Sequence, residues 1–245
     1  MKKQLLIMIV LLIVVTACSR NKLRDVMSPE ENMAKGNEFF EKKKYNKAIP
    51  FYERVVLDLK SQYTAQAQLR LADSYMNRKD YFNARLEYEE FLKFFPENRE
   101  AARAQFNIGV CYFNTSLAPQ YTQEETIEAI EAFETYLQKY PTHGLRLEAV
   151  QYIEKCNYKL LAKTYENGYI YYKIYDYSSA LMYFDRIIEL NILDELDRKS
   201  LYHSGLISYK RKEKEKTGNY LEILTNKYPD SKETAKMKKY YSRLK

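Results

Sequence analysis

A spacing of small and aromatic residues that occurs twice in the chain restricts its fold more than any other feature. Ala72, Tyr75, Ala84, Tyr88 and Phe91 have the same relative positions as Gly36, Phe39, Ala48, Tyr52 and Val55. Small side chains let two helices approach closely, and the larger ones fill the space between them. Ala48 and Ala84 lie 36 positions apart, which is typical of stacked helix pairs. Residues 71–96 are therefore predicted to form two helices joined by a polar turn at 78–80.

The same signature indicates three further helix pairs. The third contains Gly109, Tyr112, Ala129, Phe133, Tyr136 and Pro141, and the fourth contains Gly168, Tyr171, Ala180 and Phe184. The third pair has eight extra residues between its helices, around 117–123, and such insertions fall in loops. Apolar residues at helical period predict one long helix from 145 to about 175. The fifth pair, with Gly205, Leu221, Leu224 and Pro229, departs most from the pattern.

The composition agrees with an all-helical chain, since only 6 Gly and 6 Pro occur among 245 residues. We predict an all-α fold, a right-handed α-solenoid of about five helix pairs. Ser28, Pro29 and the two following glutamates are typical of the start of the first helix. Residues 231–244 are predicted to form a polar capping helix, which covers the open end that such arrays would otherwise expose.

The N-terminus indicates export and lipidation. Lys2 and Lys3 precede the apolar run 5–15, which is too short for a membrane-spanning helix, so residues 1–17 are predicted to be a lipoprotein signal peptide. Val15-Thr16-Ala17 before Cys18 resembles a bacterial lipobox, in which the cysteine is acylated. A simple secretory signal with an incidental cysteine is the alternative. Residues 18–27 would then be a lipidated tether.

Charge is distributed unevenly along the chain. Residues 198–245 contain 14 Lys and Arg against 5 Asp and Glu, whereas residues 18–197 contain 24 against 28. A basic end on a membrane-tethered protein suits acidic lipid headgroups or an acidic partner domain, and a solvated surface explains it equally well. Nucleic acid is not expected as a partner of an exported lipoprotein.

No pattern of catalytic or metal-binding residues occurs. The chain has two histidines, His143 and His203, and lacks metal-spaced Cys and His residues, nucleophile elbows and phosphate-binding glycine loops. Cys111 and Cys156 lie on apolar helical stretches and are predicted to be buried thiols, although a disulfide between them is the alternative. We therefore expect a binding protein with no cofactor and no enzymatic activity.

These repeats resemble those of tetratricopeptide repeat (TPR) proteins, so the predicted solenoid is TPR-like. Five repeats, a lipobox and an insertion in the third repeat together are similar to the BamD family of the β-barrel assembly (BAM) machinery. The resemblance implies anchoring to the periplasmic face of the outer membrane, docking to the periplasmic POTRA domains of BamA, and binding of unfolded barrel precursors. Another TPR envelope lipoprotein, such as a secretin pilotin or a cell-envelope or division coordination factor, is the alternative. We expect N-terminal repeats 1–3 at 28–142, and repeats 4–5 with the capping helix at 143–245.

The first helix of each pair is predicted to line a concave groove for an extended peptide. The candidate groove residues are Asn37, Phe40, Arg70, Asp73, Asn77, Arg103, Phe106, Asn107 and Phe113. Barrel precursors typically end in an aromatic residue with a free carboxylate. One hypothesis is that Arg70 and Arg103 receive that carboxylate while Phe106 or Phe113 packs against the last ring. A solvated helix surface is the alternative for these residues.

Tyrosines are concentrated between positions 165 and 183, and they cannot all face one core. Tyrosine combines apolar area with a hydroxyl group and is enriched at protein interfaces. The candidate residues for contact with the BamA-type partner are Tyr172, Tyr175, Tyr177, Tyr183 and Arg186.

Overall fold

The structure is a computed structural model that describes residues 27–58, 60–192 and 194–244. The chain divides into two compact units, Met1–Lys79 and Asp80–Lys245. The predicted signal peptide and Cys18 lie outside the described residues, so both stay predictions. In the described ranges every regular element is a helix, which confirms the all-α prediction.

Three helices form the described part of the first unit: α1 (Pro29–Glu41), α2 (Tyr45–Val56) and α3 (Thr64–Asn77). The predicted start of α1 is confirmed, because Ser28 Oγ accepts a hydrogen bond from the Glu31 amide (3.1 Å). The Glu31 carboxylate in turn accepts one from the Ser28 amide (2.7 Å), which completes a capping box. Helix α2 packs against both α1 and α3.

The small residue of the first repeat has the predicted function. A Cβ atom added to Gly36 would lie 2.6 Å from the ring of Tyr52, a side chain with no exposed surface. Ala48, Val55, Ala67 and Leu71 belong to the same core cluster. The close approach of α1 to α2 therefore depends on the absence of a side chain at position 36.

The second unit contains eight helices in its described part. They are α4 (Tyr81–Phe94), α5 (Ala101–Thr115), α6 (Glu124–Lys139), α7 (Arg146–Lys173), α8 (Tyr177–Glu189), α9 (Glu195–Lys210), α10 (Lys214–Lys227) and α11 (Lys232–Tyr241). Each helix from α4 to α10 packs against the next, and α7 also contacts α5 and α9. This pattern of successive and alternate contacts is that of a TPR-like solenoid.

Several predicted features of the second unit are confirmed. Helix α7 is a single helix of 28 residues, and the insertion forms the connection between Thr115 and Glu124. The insertion loop, residues 116–123, is attached to α7, because Lys159 Nζ donates to the Ser116 carbonyl (2.9 Å) and Lys163 Nζ to the Gln120 carbonyl (3.0 Å). None of the helices in the described ranges has the length and apolarity needed to cross a membrane.

The capping helix α11 packs against α9 and α10. Met237 is fully buried and lies next to Gly205, where an added Cβ atom would be 2.8 Å from the methionine methyl group. The predicted polar cap is therefore polar only on its outer face. Arg198 on α9 pairs with the buried carboxylate of Glu233 (3.0 Å), which fixes α11 laterally.

Candidate protein-binding surfaces

Three of the predicted groove residues lie together in the first unit. The guanidinium carbon of Arg70 on α3 is 4.6 Å from the centre of the Phe40 ring on α1. Asn37, one turn before Phe40, accepts a hydrogen bond from the hydroxyl of the buried Tyr52 (2.9 Å). Burial raises the pKa of Tyr52, which therefore keeps its proton and remains the donor.

The other two predicted residues of this unit lie further along α3. Asn77 donates from Nδ2 to the carbonyl of Asp73 (2.7 Å), so its side-chain amide is bonded to the last turn of its own helix. Asp73 is half-buried, and its charge acts on Tyr52 together with those of Arg70 and Glu41. The first unit therefore presents a cation on an aromatic ring, flanked by an amide and a carboxylate.

Helix α5 of the second unit carries the remaining groove candidates. Arg103 pairs with Glu100 one turn earlier (2.9 Å), and Asn107 Nδ2 donates to the hydroxyl of the buried Tyr88 (2.9 Å). Phe113 is half-buried, with its ring edge-on to Tyr152 at 5.0 Å between centroids. Asn37 and Asn107 thus share one role, because each satisfies the hydroxyl of a fully buried tyrosine.

Phe106 differs from the groove prediction. Its side chain is 5% exposed and packs among Phe133, Tyr136 and Tyr152 at centroid distances of 5.5 to 6.0 Å. The residue is part of the core of the third repeat, so its ring is not available to an incoming peptide. Helical spacing alone does not predict the burial of Phe106. Helix α5 packs against α4, α6 and α7, which leaves little of its surface free.

The structure brings three of the predicted interface tyrosines around one ammonium group. Lys210 Nζ at the end of α9 lies 4.8 Å from the ring centre of Tyr172 and 5.6 Å from those of Tyr175 and Tyr177. Burial lowers the pKa of Lys210, but contacts with the Tyr172 and Tyr177 hydroxyls outweigh it, and the net shift is upward. The ammonium group is therefore charged and lies among three aromatic rings.

Tyr183 and Arg186, on α8, lie apart from this group of tyrosines. Tyr183 stacks on Tyr171 with ring centres 5.6 Å apart. Arg186 is exposed and lines a cavity of about 520 Å³ between α7 and the end of α8. Tyr158, Leu161, Leu190 and Ile192 supply apolar surface in the same cavity. Arg186 is therefore the cationic edge of a mainly apolar depression.

Both histidines are structural. The Nδ1–H group of His203 donates to the Lys199 carbonyl (2.8 Å), and the ring stacks on Phe184 with centroids 5.6 Å apart. Burial lowers the pKa of His203, so the ring is neutral at physiological pH. His143 Nδ1 is 2.7 Å from the hydroxyl of the buried Tyr136.

Comparison with known proteins identifies the family. The outer membrane lipoprotein family YfiO matches residues 25–167 of this chain, more than half of its length. The chain belongs to this family. A second match, to a tetratricopeptide repeat, covers residues 199–231. That segment contains most of α9 and all of α10, so the repeat that departs most from the signature is nevertheless of the TPR type.

Among relatives of this chain, the outer membrane protein assembly factor BamD of Rickettsia prowazekii (strain Madrid E) is 23% identical over 240 residues. The alignment covers 94% of this chain and 93% of the relative.

Several solved structures are also similar to this YfiO family member. The TPR2AB domain of yeast Sti1, in complex with pHSP90, has a TM-score of 0.46 at 14% identity, covering 87% of this chain and 83% of that one. The apo form of RapI has a TM-score of 0.42 at 14% identity, covering 94% and 88%. PilF of Pseudomonas aeruginosa has a TM-score of 0.36 at 17% identity, covering 88% and 83%.

Proposed function

We propose that this protein is a lipid-anchored TPR scaffold of the outer-membrane β-barrel assembly machinery, which binds unfolded barrel precursors and docks to the periplasmic domain of a BamA-type protein. The observation that carries the proposal is the match to the outer membrane lipoprotein family over residues 25–167. The alignment with an outer membrane protein assembly factor over 94% of the chain supports the assembly role. The protein acts by recognition and positioning, without chemistry of its own.

The anchor is an acylated Cys18 in the inner leaflet of the outer membrane. Several acyl chains on one cysteine hold a protein more firmly than a single chain, because each buried methylene contributes about 0.8 kcal/mol. The mass of the mature protein tests this part directly. We expect residues 1–17 to be absent and a multiply acylated Cys18, and we expect Cys18→Ala to abolish both changes. An unmodified Cys18 on the membrane-bound protein would contradict the anchor.

The precursor contacts the first unit at Arg70 and Phe40. Arg70 is already oriented by its contact with the Phe40 ring, so little side-chain freedom is lost when its guanidinium binds a terminal carboxylate. Phe40 remains half-buried and offers apolar surface to the aromatic residue that precedes the carboxylate. The hydroxyl of Tyr52 uses only the oxygen of Asn37, whose amide N–H groups can therefore pair with a peptide carbonyl.

The BamA-type partner contacts the second unit at the tyrosines around Lys210. Tyr175 is 73% exposed, and its neighbours Tyr172 and Tyr177 share the Lys210 ammonium. An exposed tyrosine beside a cation suits an acidic, hydrogen-bonding partner surface. Arg186 and the apolar cavity beside it, near the end of α8, form a second and separate part of the proposed contact.

Affinity purification from detergent-solubilised outer membranes tests the proposal as a whole. We expect a barrel protein with periplasmic POTRA repeats to co-purify with the wild-type chain, and to be lost from a Tyr175→Ala, Arg186→Ala variant. A matched variant, Tyr121→Ala, Lys139→Ala, removes an exposed tyrosine and an exposed cation elsewhere in the same unit and is expected to retain the partner. Co-purification of a secretin or a peptidoglycan enzyme in place of the barrel protein would overturn the assembly role.

A further inference from the structure

One end of the first unit carries a concentrated positive charge for which the proposed function has no use. A concavity of about 350 Å³ is lined by Lys43, Lys44, Tyr45, Asn46, Lys47 and Arg78, none of which is acidic. Four of these residues, Lys43, Lys44, Lys47 and Arg78, form what we call the basic cluster. All four side chains are exposed, and Arg78 leans on the ring of Tyr75 at 5.8 Å.

The two glutamates in the last turn of α1 do not neutralise the positive charge of the basic cluster. Glu38, one turn inside α1, binds Lys35 (2.6 Å) and Lys42 (2.7 Å), and these contacts lower its pKa to about 2. Glu41 is the remaining acidic residue in the last turn of α1, and it lines no part of the concavity. Four cations therefore share a concavity whose lining contains no acidic residue, and their mutual repulsion is relieved when an external anion is present.

Lys44, the residue immediately before α2, adds to this repulsion. Helices α4, α8 and α9 begin after Asp80, Asp176 and Asp194, whose carboxylates accept a backbone amide of the first turn. Helix α2 begins after Lys44, which supplies no such bond. A cation at this position opposes the positive end of the helix dipole, so its presence is unfavourable for the isolated protein.

The proposed lipid anchor places this end of the unit within reach of a bilayer. The nine residues from Cys18 to the start of the described chain span at most about 32 Å, and the 13 residues of α1 add about 20 Å. We infer that the basic cluster lies against the anionic headgroups of the membrane to which the protein is anchored. Tyr45, in the same concavity, has the amphipathic ring that is enriched at membrane interfaces.

The orientation follows from the charge. Each Lys or Arg held near an anionic leaflet strengthens membrane association about fivefold at physiological ionic strength, and the effect disappears beyond a Debye length of about 8 Å. Four such residues on one face therefore select one orientation among those that the anchor permits. In this orientation the first unit is held close to the membrane surface.

Per-residue acetylation of lysines tests this inference, which depends on the lipid anchor of the proposed function. The full acylated protein is inserted into vesicles of phosphatidylcholine alone or with added phosphatidylglycerol, and amine acetylation is followed by mass spectrometry. We expect Lys43, Lys44 and Lys47 to react at least about threefold more slowly on the anionic vesicles, and this protection to vanish near 1 M salt, where the Debye length is about 3 Å. Lys139 and Lys236, exposed in the second unit, should react equally on both.

Variants and a second anion separate the alternatives. In the wild type, the neighbouring Lys42 and Lys79 should also react more slowly on anionic vesicles. The triple variant Lys43→Gln, Lys44→Gln, Lys47→Gln should remove this protection, whereas the triple variant Lys139→Gln, Lys155→Gln, Lys236→Gln should leave it. Equal acetylation on both vesicle types would overturn the inference. Protection that appears only with inorganic phosphate, or only with an added acidic protein, would also overturn it. No precursor or partner is present, so this outcome is independent of the assembly role, and the mass of Cys18 shows separately whether the anchor is present.

Discussion

The guanidinium carbon of Arg70 lies over the ring of Phe40, 4.6 Å from the ring centre. The two residues belong to α3 and α1, the first helices of two successive repeats. This contact orients a cation before any ligand arrives. It also has a counterpart in the same unit, because Arg54 lies 5.4 Å from the ring centre of Phe51 on α2.

Arg70→Gln is expected to weaken binding of a barrel-derived peptide that ends in a free aromatic carboxylate. The change removes both the charge and the paired N–H donors while keeping much of the side-chain length. We expect about a tenfold rise in Kd, equivalent to about 1.4 kcal/mol, by fluorescence anisotropy. Arg54→Gln, which removes the same kind of cation–ring contact from α2, should leave Kd unchanged, and an equal loss in both variants would contradict the assignment.

Gly109→Ala is expected to destabilise the second unit. The added Cβ would lie 2.7 Å from the ring of Phe133, which is fully buried and cannot move aside. Overpacking typically costs about 1–3 kcal/mol and exceeds the gain of about 1 kcal/mol that alanine brings to a helix. The midpoint of urea unfolding should therefore fall.

The control for this substitution is Gly144→Ala, because an added Cβ at that position meets no atom within 4 Å. Its unfolding midpoint should be unchanged or slightly raised. A midpoint for Gly109→Ala as high as that of the wild type would mean that α5 and α6 can separate without cost.

Asp197→Ala is expected to loosen the last repeat. The carboxylate is fully buried and accepts bonds from the Tyr228 hydroxyl (2.7 Å) and from Lys227 (3.2 Å). Its removal leaves the half-buried ammonium of Lys227 without its partner, and breaking such pairs costs about 3–5 kcal/mol when they are well buried. Amide hydrogen exchange in α10 and α11 should accelerate. The exposed pair of Glu90 and Lys93 offers a control, since Glu90→Ala should leave exchange in its own helix nearly as it was.

Stability is expected to fall at alkaline pH because of two buried thiols. The prediction that Cys111 and Cys156 are buried and free is confirmed. Burial raises the pKa of Cys111 to about 12 and that of Cys156 to about 11, whereas a thiol in the unfolded chain titrates near 8.5. Between these values the unfolded chain has lost protons that the native protein keeps, so unfolding becomes easier as pH rises.

Chemical denaturation between pH 8 and 10.5 measures this effect. The free energy of unfolding of the wild type should fall with pH more steeply than that of Cys111→Ala, Cys156→Ala, by up to about 1.4 kcal/mol per pH unit for each thiol. Buried tyrosines contribute equally to both proteins. Parallel curves would show that the thiols ionise in the native state.

The helix pairs were predictable because their spacing records a steric requirement that acts locally. Gly36 and Gly109 stand where the rings of Tyr52 and Phe133 occupy the space of a side chain, and the two partners are only 16 and 24 positions away. The long α7 and the insertion loop followed from the same periodicity. The sequence does not indicate which face of the first helix of a pair remains exposed. Phe106 and Phe113 lie on one helix at similar periodicity, yet the first is buried and the second half-buried.

Contacts between distant positions also escaped prediction. Lys210 is more than 30 residues from the tyrosines that surround it, and nothing in the run of basic residues at 210–216 distinguishes it from its neighbours. The attachment of the insertion loop by Lys159 likewise spans 43 positions. Long-range pairs of this kind depend on how helices are placed in space, which a hydrophobic period does not specify.

The docking of α11 has a consequence for self-association. The last repeat of a helical array has a surface onto which a further repeat would pack. The first helix of another molecule can pack there in the same way. Met237 fills that groove from within, while Lys236, Lys238 and Lys239 point into solvent. The docking of α11 is therefore expected to block head-to-tail association at this end of the chain.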